Sequence, residues 1–281
     1  MLSYFIVTKI GEELHMTIAR ALTIAGSDSG GGAGIQADLK TFTVLGVFGM
    51  SAITAITAQN TLGVHGIYNL PLEAIGKQID AVVTDLGVDA AKTGMLSQAS
   101  IIELVAEKIR QYSIRNLVVD PVMVAKGGTR LLEESAQHAL IRYLLPLAQV
   151  VTPNLPEAEV LTGREIRTVD DMREAARRIR EFGVGTVVVK GGHLEADAID
   201  VVYDGETFEE LRSPRIHTRH THGTGCTFSA AVTAELAKGK SVMEAVRAAK
   251  EFITCAIADS LELGGGHGPT NHWAYGKKFH T

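Results

Sequence analysis

The chain has 281 residues, 46% of them hydrophobic but only 5% aromatic, which suits one layered α/β unit with a core of Val, Ile, Leu and Ala. Its 27 basic and 32 acidic side chains are interspersed, with a net charge of −5 and no basic stripe of the kind that nucleic acid requires. No apolar run is long enough to span a bilayer, and two cysteines without a C-x-x-C pair exclude a disulfide framework and a cysteine zinc site. A reducing cytoplasm is the expected setting.

Residues 1–15 lack the basic start and apolar centre of a signal peptide. Gly11-Glu12-Glu13 would be encoded by a purine-rich stretch just ahead of Met16. Met16 is therefore the expected start, with residues 1–15 a non-native or disordered leader, and the intact mass of natively expressed protein tests it. Residues 16–281 read as a single domain without linker, repeat or low-complexity tract.

The run Arg20–Gly26 predicts a strand, Ser27–Gly34 a flexible loop, and Ile35–Leu45 a helix. Strand-like runs recur at Phe48–Thr57, Ala90–Gly94, Leu117–Asp120, Val150–Thr152 and Thr186–Lys190. Helical spacing falls between them at Leu72–Val83, Ser100–Tyr112, Glu133–Leu145 and Asp170–Phe182. That alternation argues for a parallel sheet covered on both faces. Near the end, Asp204-Gly205 marks a hairpin between Ala198–Tyr203 and Thr207–Leu211, followed by helices at Gly225–Lys238 and Ser241–Ser260.

Several motifs carry chemistry and others only resemble ones that do. Gly32-Ala33-Gly34-Ile35-Gln36-Ala37 fits a dinucleotide fingerprint, but the acidic residue needed about 20 positions later is missing, since no Asp or Glu occurs from Thr41 to Leu72. Gly239-Lys240-Ser241 imitates the end of a P-loop, yet Ala234 stands where the glycine should be. His217, His220, His222 and Cys226 match no common zinc spacing. Asn154 and Glu157, three apart after a strand, could hold hydrated Mg²⁺ or form a helix capping box, which uses the same residues. Gly223, Thr224 and Gly225 open an Ala-rich helix, where free N–H groups and the helix dipole suit a phosphate. Cys226, in that first turn, would have its thiolate favoured by the same field.

Six segments, in order, resemble the bacterial hydroxymethylpyrimidine/phosphomethylpyrimidine kinases. They are Ala21–Phe42, Lys92–Leu96, Val119–Met123, Thr152–Glu157, Lys190–His193 and Thr221–Phe228, and the similarity runs from residue 20 to about 272. The resemblance implies a ribokinase-like three-layer α/β fold, a central mostly parallel sheet with helices on both faces, and normally a homodimer. It implies ATP and Mg²⁺, and phosphorylation of 4-amino-5-hydroxymethyl-2-methylpyrimidine and then of its monophosphate on the way to thiamin. It further implies a substrate pocket at Gly26, Ala33, Asp38, Gln59, Met95 and Val122. Asp120 and Glu157 would serve Mg²⁺, Asn154 and Lys190 the ATP phosphates, Gly223, Thr224 and Gly225 an anion hole, and Cys226 the catalytic base. Some pyridoxal kinases share the glycine–cysteine motif and form the second reading; Ala58-Gln59-Asn60-Thr61 favours the pyrimidine kinases. A pyrimidine-binding sensor without catalysis is the alternative from another class.

Overall fold

The computed structural model describes residues 6–10, 13–124, 131–192 and 198–277, with only the backbone described over residues 6–10 and 13–17 and at Glu134. Strands β1 (Ile6–Ile10) and β2 (Glu13–Thr17) pair antiparallel as a separate ribbon, with Val7 opposite Met16.

The main sheet contains β3 (Arg20–Asp28), β4 (Phe48–Asn60), β5 (Gly63–Asn69), β6 (Ala90–Thr93), β7 (Leu117–Val119), β8 (Val150–Val151), β9 (Thr186–Gly191), β10 (Ala198–Tyr203) and β11 (Phe208–Ser213). Their order is β11-β10-β9-β8-β7-β6-β3-β4-β5. Pairing is parallel from β9 through β4 and antiparallel at β4–β5, β9–β10 and β10–β11.

Strand alternation sends residues to two cores. Leu22, Ile24, Val119 and Val151 pack under α2 (Leu72–Asp85), α3 (Ala99–Gln111), α4 (Glu134–Ala139), α5 (Leu155–Thr162) and α6 (Val169–Arg180). Ala21, Val118 and Val150 pack under α1 (Gly34–Val44), α7 (Thr224–Ala237) and α8 (Val242–Ala258), with the short α9 (Ala274–Lys277) beside α8. All seven named side chains are fully excluded from water, and burying each Val, Leu or Ile is worth about 1.5–3 kcal/mol. The layered α/β expectation holds.

Three local expectations change. Ser27 and Asp28 extend β3 instead of starting a loop, beyond a bulge at Gly26. The helix expected over Glu133–Leu145 is α4 followed by a wider turn at Leu140–Leu144 and a tight one at Leu145–Leu147. Pro146 brings no N–H to the ladder, so the helix cannot continue through it. Strand β5 went unpredicted because Gly63-Val-His-Gly-Ile-Tyr-Asn lacks a clean apolar alternation.

Candidate active site

The chain lays β4 on one side of β3 and β6 on the other, so the sheet order reverses at β3. Ligands of open α/β sheets bind beyond the carboxyl ends of strands at such a point. A cleft of about 580 Å³ opens there and holds most of the expected residues: Gly26, Ala33, Gln59, Met95 and Val122 at one end, Asp120, Asn154, Glu157 and Lys190 in the middle, and Gly223–Cys226 across from them.

The end of the cleft at Gly26 and Gln59 is shaped by two irregular strand positions. Bulges fall at Gly26 in β3 and between Ala58 and Gln59 in β4, and bulges beside sites re-aim side chains. The Met95 methyl packs over Gly26, 2.5 Å from where a Cβ would sit, so a side chain there would require Met95 to move. The Gln59 Oε1 atom accepts the Thr57 hydroxyl at 3.0 Å.

Asp38 is a correction. It does not line the cleft. Its side chain is fully buried, pairs with Lys92 Nζ at 2.8 Å and accepts the Thr23 hydroxyl at 2.6 Å. A helical residue one turn past a loop points back into the sheet here, because α1 lies against the central strand. Burial would lower the Lys92 pKa, but the charges around it, Asp38 foremost, more than offset it and hold it raised.

The central group is built from strand ends. Lys190 Nζ lies 3.3 Å from Asp120 Oδ1, and both side chains are nearly closed off from water. Asn154 and Glu157 form the capping box of α5: Asn154 Oδ1 accepts the Glu157 amide and Glu157 Oε2 accepts the Asn154 amide, each at 2.9 Å. Both the cap and the cleft position are therefore real. Burial and the nearby Asp120 charge push Glu157 up to about 7 despite Lys190. For Lys190, burial lowers the pKa, while Asp120 and Glu157 overcome it and hold it raised.

These carboxylates fit a hard divalent cation. Lys190 neutralises one of the two buried acids, and the negative neighbour that disfavours ionised Glu157 is a charge that a dication would relieve. Mg²⁺ keeps several waters and takes one or two carboxylates plus phosphate, so a dedicated cage is not needed. Among the described residues no cluster of three or more His, Cys, Asp or Glu could form such a cage.

Helix α7 begins where the middle of the cleft meets its end at Gly26 and Gln59. Gly223 caps it at φ 80°, and a Cβ there would collide with the Gly32 carbonyl oxygen. Gly225 faces the central group: a Cβ on it would sit 3.3 Å from Lys190 Nζ and 3.6 Å from Asp120 Oδ2. The space that this Cβ would take is beside both a cation and a helix N-terminus, which suits a transferring phosphate.

Cys226 overturns the expectation of a favoured thiolate. Burial first, then the Asp38 and Asp120 charges, push the thiol up to about 12, against the pull of Lys92 and the Gly34 amide. Helix N-termini lower a thiol pKa only where the surroundings also admit charge. The sulfur rests protonated.

Sequence reasoning missed Asp28 and His222, both in the cleft wall, with His222 Nε2 2.8 Å from Asp28 Oδ2. It also missed Lys92, whose charge bears on Cys226, and the apolar cleft lining at Pro214, Ile216, Ile253 and Ile257. Lys190-Gly-Gly-His193 is described only through Gly192; His193 lies outside the described residues. The P-loop imitation is spent on structure: Lys240 pairs with Glu235 at 2.6 Å and Ser241 caps α8.

Fold and cleft together define a phosphotransferase of the ribokinase-like α/β class. The family model described as phosphomethylpyrimidine kinase matches residues 28–271, and the chain belongs to that family. The Bacillus subtilis hydroxymethylpyrimidine/phosphomethylpyrimidine kinase is 54% identical over 262 residues, covering 92% of this chain and 97% of that protein. An ADP complex of Bacillus subtilis pyridoxal kinase superposes with a TM-score of 0.87 at 52% identity, over 92% of this chain and 99% of that one. A phosphomethylpyrimidine kinase from Clostridium difficile gives 0.76 at 47% identity, over 85% and 98%.

Proposed function

We propose that this cleft transfers the γ-phosphoryl group of ATP to the hydroxymethyl oxygen of 4-amino-5-hydroxymethyl-2-methylpyrimidine, and then to the phosphate of the product. The observation that carries this reading is the meeting of three chemistries at Gly225: an acceptor pocket at Gly26, Ala33, Gln59, Met95 and Val122; the Asp120–Lys190 pair; and a glycine-opened helix N-terminus.

Pro214, Ile216, Ile253 and Ile257 give the adenine an apolar bed in the cleft. Lys190 and Asn154 serve the phosphates, and Asp120 and Glu157 would hold hydrated Mg²⁺, which supplies charge neutralisation when bound. The N–H groups of Gly223–Gly225 receive the charge on the moving group. Cys226 receives the hydroxyl proton late, as the new O–P bond forms. Its own proton must first pass to solvent water in the open cleft, and a cation beside Asp120 would remove one of the charges that hold it in place.

Pyridoxal is the second reading, favoured by the likeness to the pyridoxal kinase. An assay of ADP release with ATP and Mg²⁺ separates them. Turnover of the pyrimidine and its monophosphate supports the first reading, pyridoxal alone the second, and no turnover of any of the three sinks both.

One domain over residues 16–281, working in the cytoplasm as a homodimer, completes the reading. Ile56 on β4 stands opposite Tyr68 on the edge strand β5, and both are largely exposed. Such an apolar edge calls for cover. Tyr68→Asp should turn a dimer into a monomer by sedimentation; a wild-type monomer removes the proposal. Among the described residues no helix is long and apolar enough to cross a membrane.

A further inference from the structure

Asp28 and His222 are 194 positions apart and have no part in the scheme above, yet they join its two halves. Asp28 ends β3, and His222 immediately precedes the cap of α7. The side chains are 4% and 12% exposed. Asp28 Oδ2 faces His222 Nε2 at 2.8 Å and also accepts the Gly32 and Ala33 amides at 3.1 and 2.9 Å, while Oδ1 accepts the Gly30 amide at 2.8 Å.

Four donors on one carboxylate keep it ionised. Burial raises its pKa, but the His222 contact and the backbone amides bring it below the usual carboxylate range. An ionised acceptor places the ring proton on Nε2 of His222.

The backbones of the same two segments interlock. A Cβ on Gly32 would collide with the His222 ring, and a Cβ on Gly223 with the Gly32 carbonyl. His222 is itself pinned from behind, donating its amide to the Gly268 carbonyl at 3.0 Å and accepting the Thr270 amide at 3.3 Å. Gln59 Nε2 approaches the same ring nitrogen at 3.4 Å. That nitrogen has spent its hydrogen on Asp28 and offers no lone pair, so the amide hydrogens of Gln59 remain for a ligand.

We propose that His222 is a positioning residue for phosphoryl transfer. Through Asp28 it sets the anion-hole turn at Gly223–Cys226 against the Gly30–Gly34 loop that walls the acceptor pocket. The inference rests on the kinase reading for its consequence, because transfer rates depend on how the two reacting groups are aligned. A displacement of about 1 Å can cost about 10²-fold in rate without any loss of a reacting group.

The test compares His222→Ala with His222→Gln, whose amide nitrogen can reach the place of Nε2. In His222→Ala, kcat for the pyrimidine should fall by about 10²-fold with little change in KM for ATP. Hydrogen exchange at the Gly32 and Ala33 amides, bonded to Asp28, and at the Thr227 and Thr270 amides, bonded to Gly223 and His222, should accelerate together, with the melting temperature confirming a folded protein. His222→Gln should recover most of both. Wild-type kcat in folded His222→Ala overturns the proposal, as does His222→Gln that restores amide protection without kcat. If His222→Ala does not fold, His222→Gln decides alone by the same two readouts. Wild-type protein inactive on every acceptor sinks the kinase reading only; the exchange comparison needs no turnover and still decides whether His222 fixes the two loops.

Discussion

Lys92 and Asp38 form an ion pair, Nζ to Oδ1 at 2.8 Å, with both side chains wholly excluded from water. Removing one partner of such a pair leaves an uncompensated buried charge and costs about 3–5 kcal/mol. Asp38→Asn should therefore lower stability in urea unfolding by that order, while the KM for the pyrimidine stays unchanged. Asp38→Leu combined with Lys92→Met should recover much of the stability. A raised pyrimidine KM in a stable Asp38→Asn protein would put this carboxyl in contact with substrate after all.

For Cys226, with its thiol pushed up to about 12, alkylation by iodoacetamide should speed up tenfold per pH unit without a plateau up to about pH 10. Peptide mass spectrometry follows the site directly. In turnover, Cys226→Ala and Cys226→Ser should fold and bind both substrates but lose about 10²–10⁴-fold in kcat, the usual weight of a general base. Cys226→Asp should return part of it. Near-normal turnover of Cys226→Ala would reduce the sulfur to packing.

Glu157 has a folded pKa of about 7, above its ordinary 4.5. The fold thus binds this proton more tightly than the unfolded chain does. Its contribution is fully present below 4.5 and is lost as the pH rises through about 7, falling by about 1.4 kcal/mol for each pH unit between those two values. Glu157→Gln should flatten that fall, leaving metal-free protein at least as stable as wild type at pH 7.5, while turnover drops and the Mg²⁺ requirement rises. Lower stability with normal kinetics would leave Glu157 with its helix cap alone.

Gln59→Ala should raise the KM for the pyrimidine and leave that for ATP nearly unchanged. A buried polar edge left without its partner costs about 1–3 kcal/mol. Steady-state kinetics with each substrate varied in turn decides it, and an unchanged pyrimidine KM takes Gln59 out of the pocket.

The layers were legible because each has a local signature. Valine-rich runs became β7, β8 and β9, and Asp204 in the hairpin turn accepts the Glu206 and Thr207 amides as its position suggests. Gly223 and Gly225 were legible for a similar reason, since two glycines at the start of an Ala-rich helix mark a backbone that something must approach closely. Pairings between distant segments left no such trace. Lys92 meets Asp38 across 54 positions, and nothing in either neighbourhood names the other. The protonation of Cys226 was likewise hidden, because burial first and then the opposed charges of Lys92, Asp38 and Asp120, brought in from distant segments, set it rather than its own helix.

The order of strands in the sheet is also nearly the order in which the chain is made. β3 comes first and lies inside; β4 and β5 build one side, and then β6, β7, β8, β9, β10 and β11 are added outward on the other, each onto the edge its predecessor has just exposed. A nascent chain therefore never has to hold open a gap for a strand not yet synthesised, which limits the time that unpaired edges are available to other chains on the ribosome. Helix α7, bearing the anion hole, emerges only after this sheet is complete. A chain that stops short of α7 would carry all nine strands of the main sheet but lack α7 and α8, so one face of the sheet would stay partly uncovered until the segment at Gly223–Cys226 has also been made.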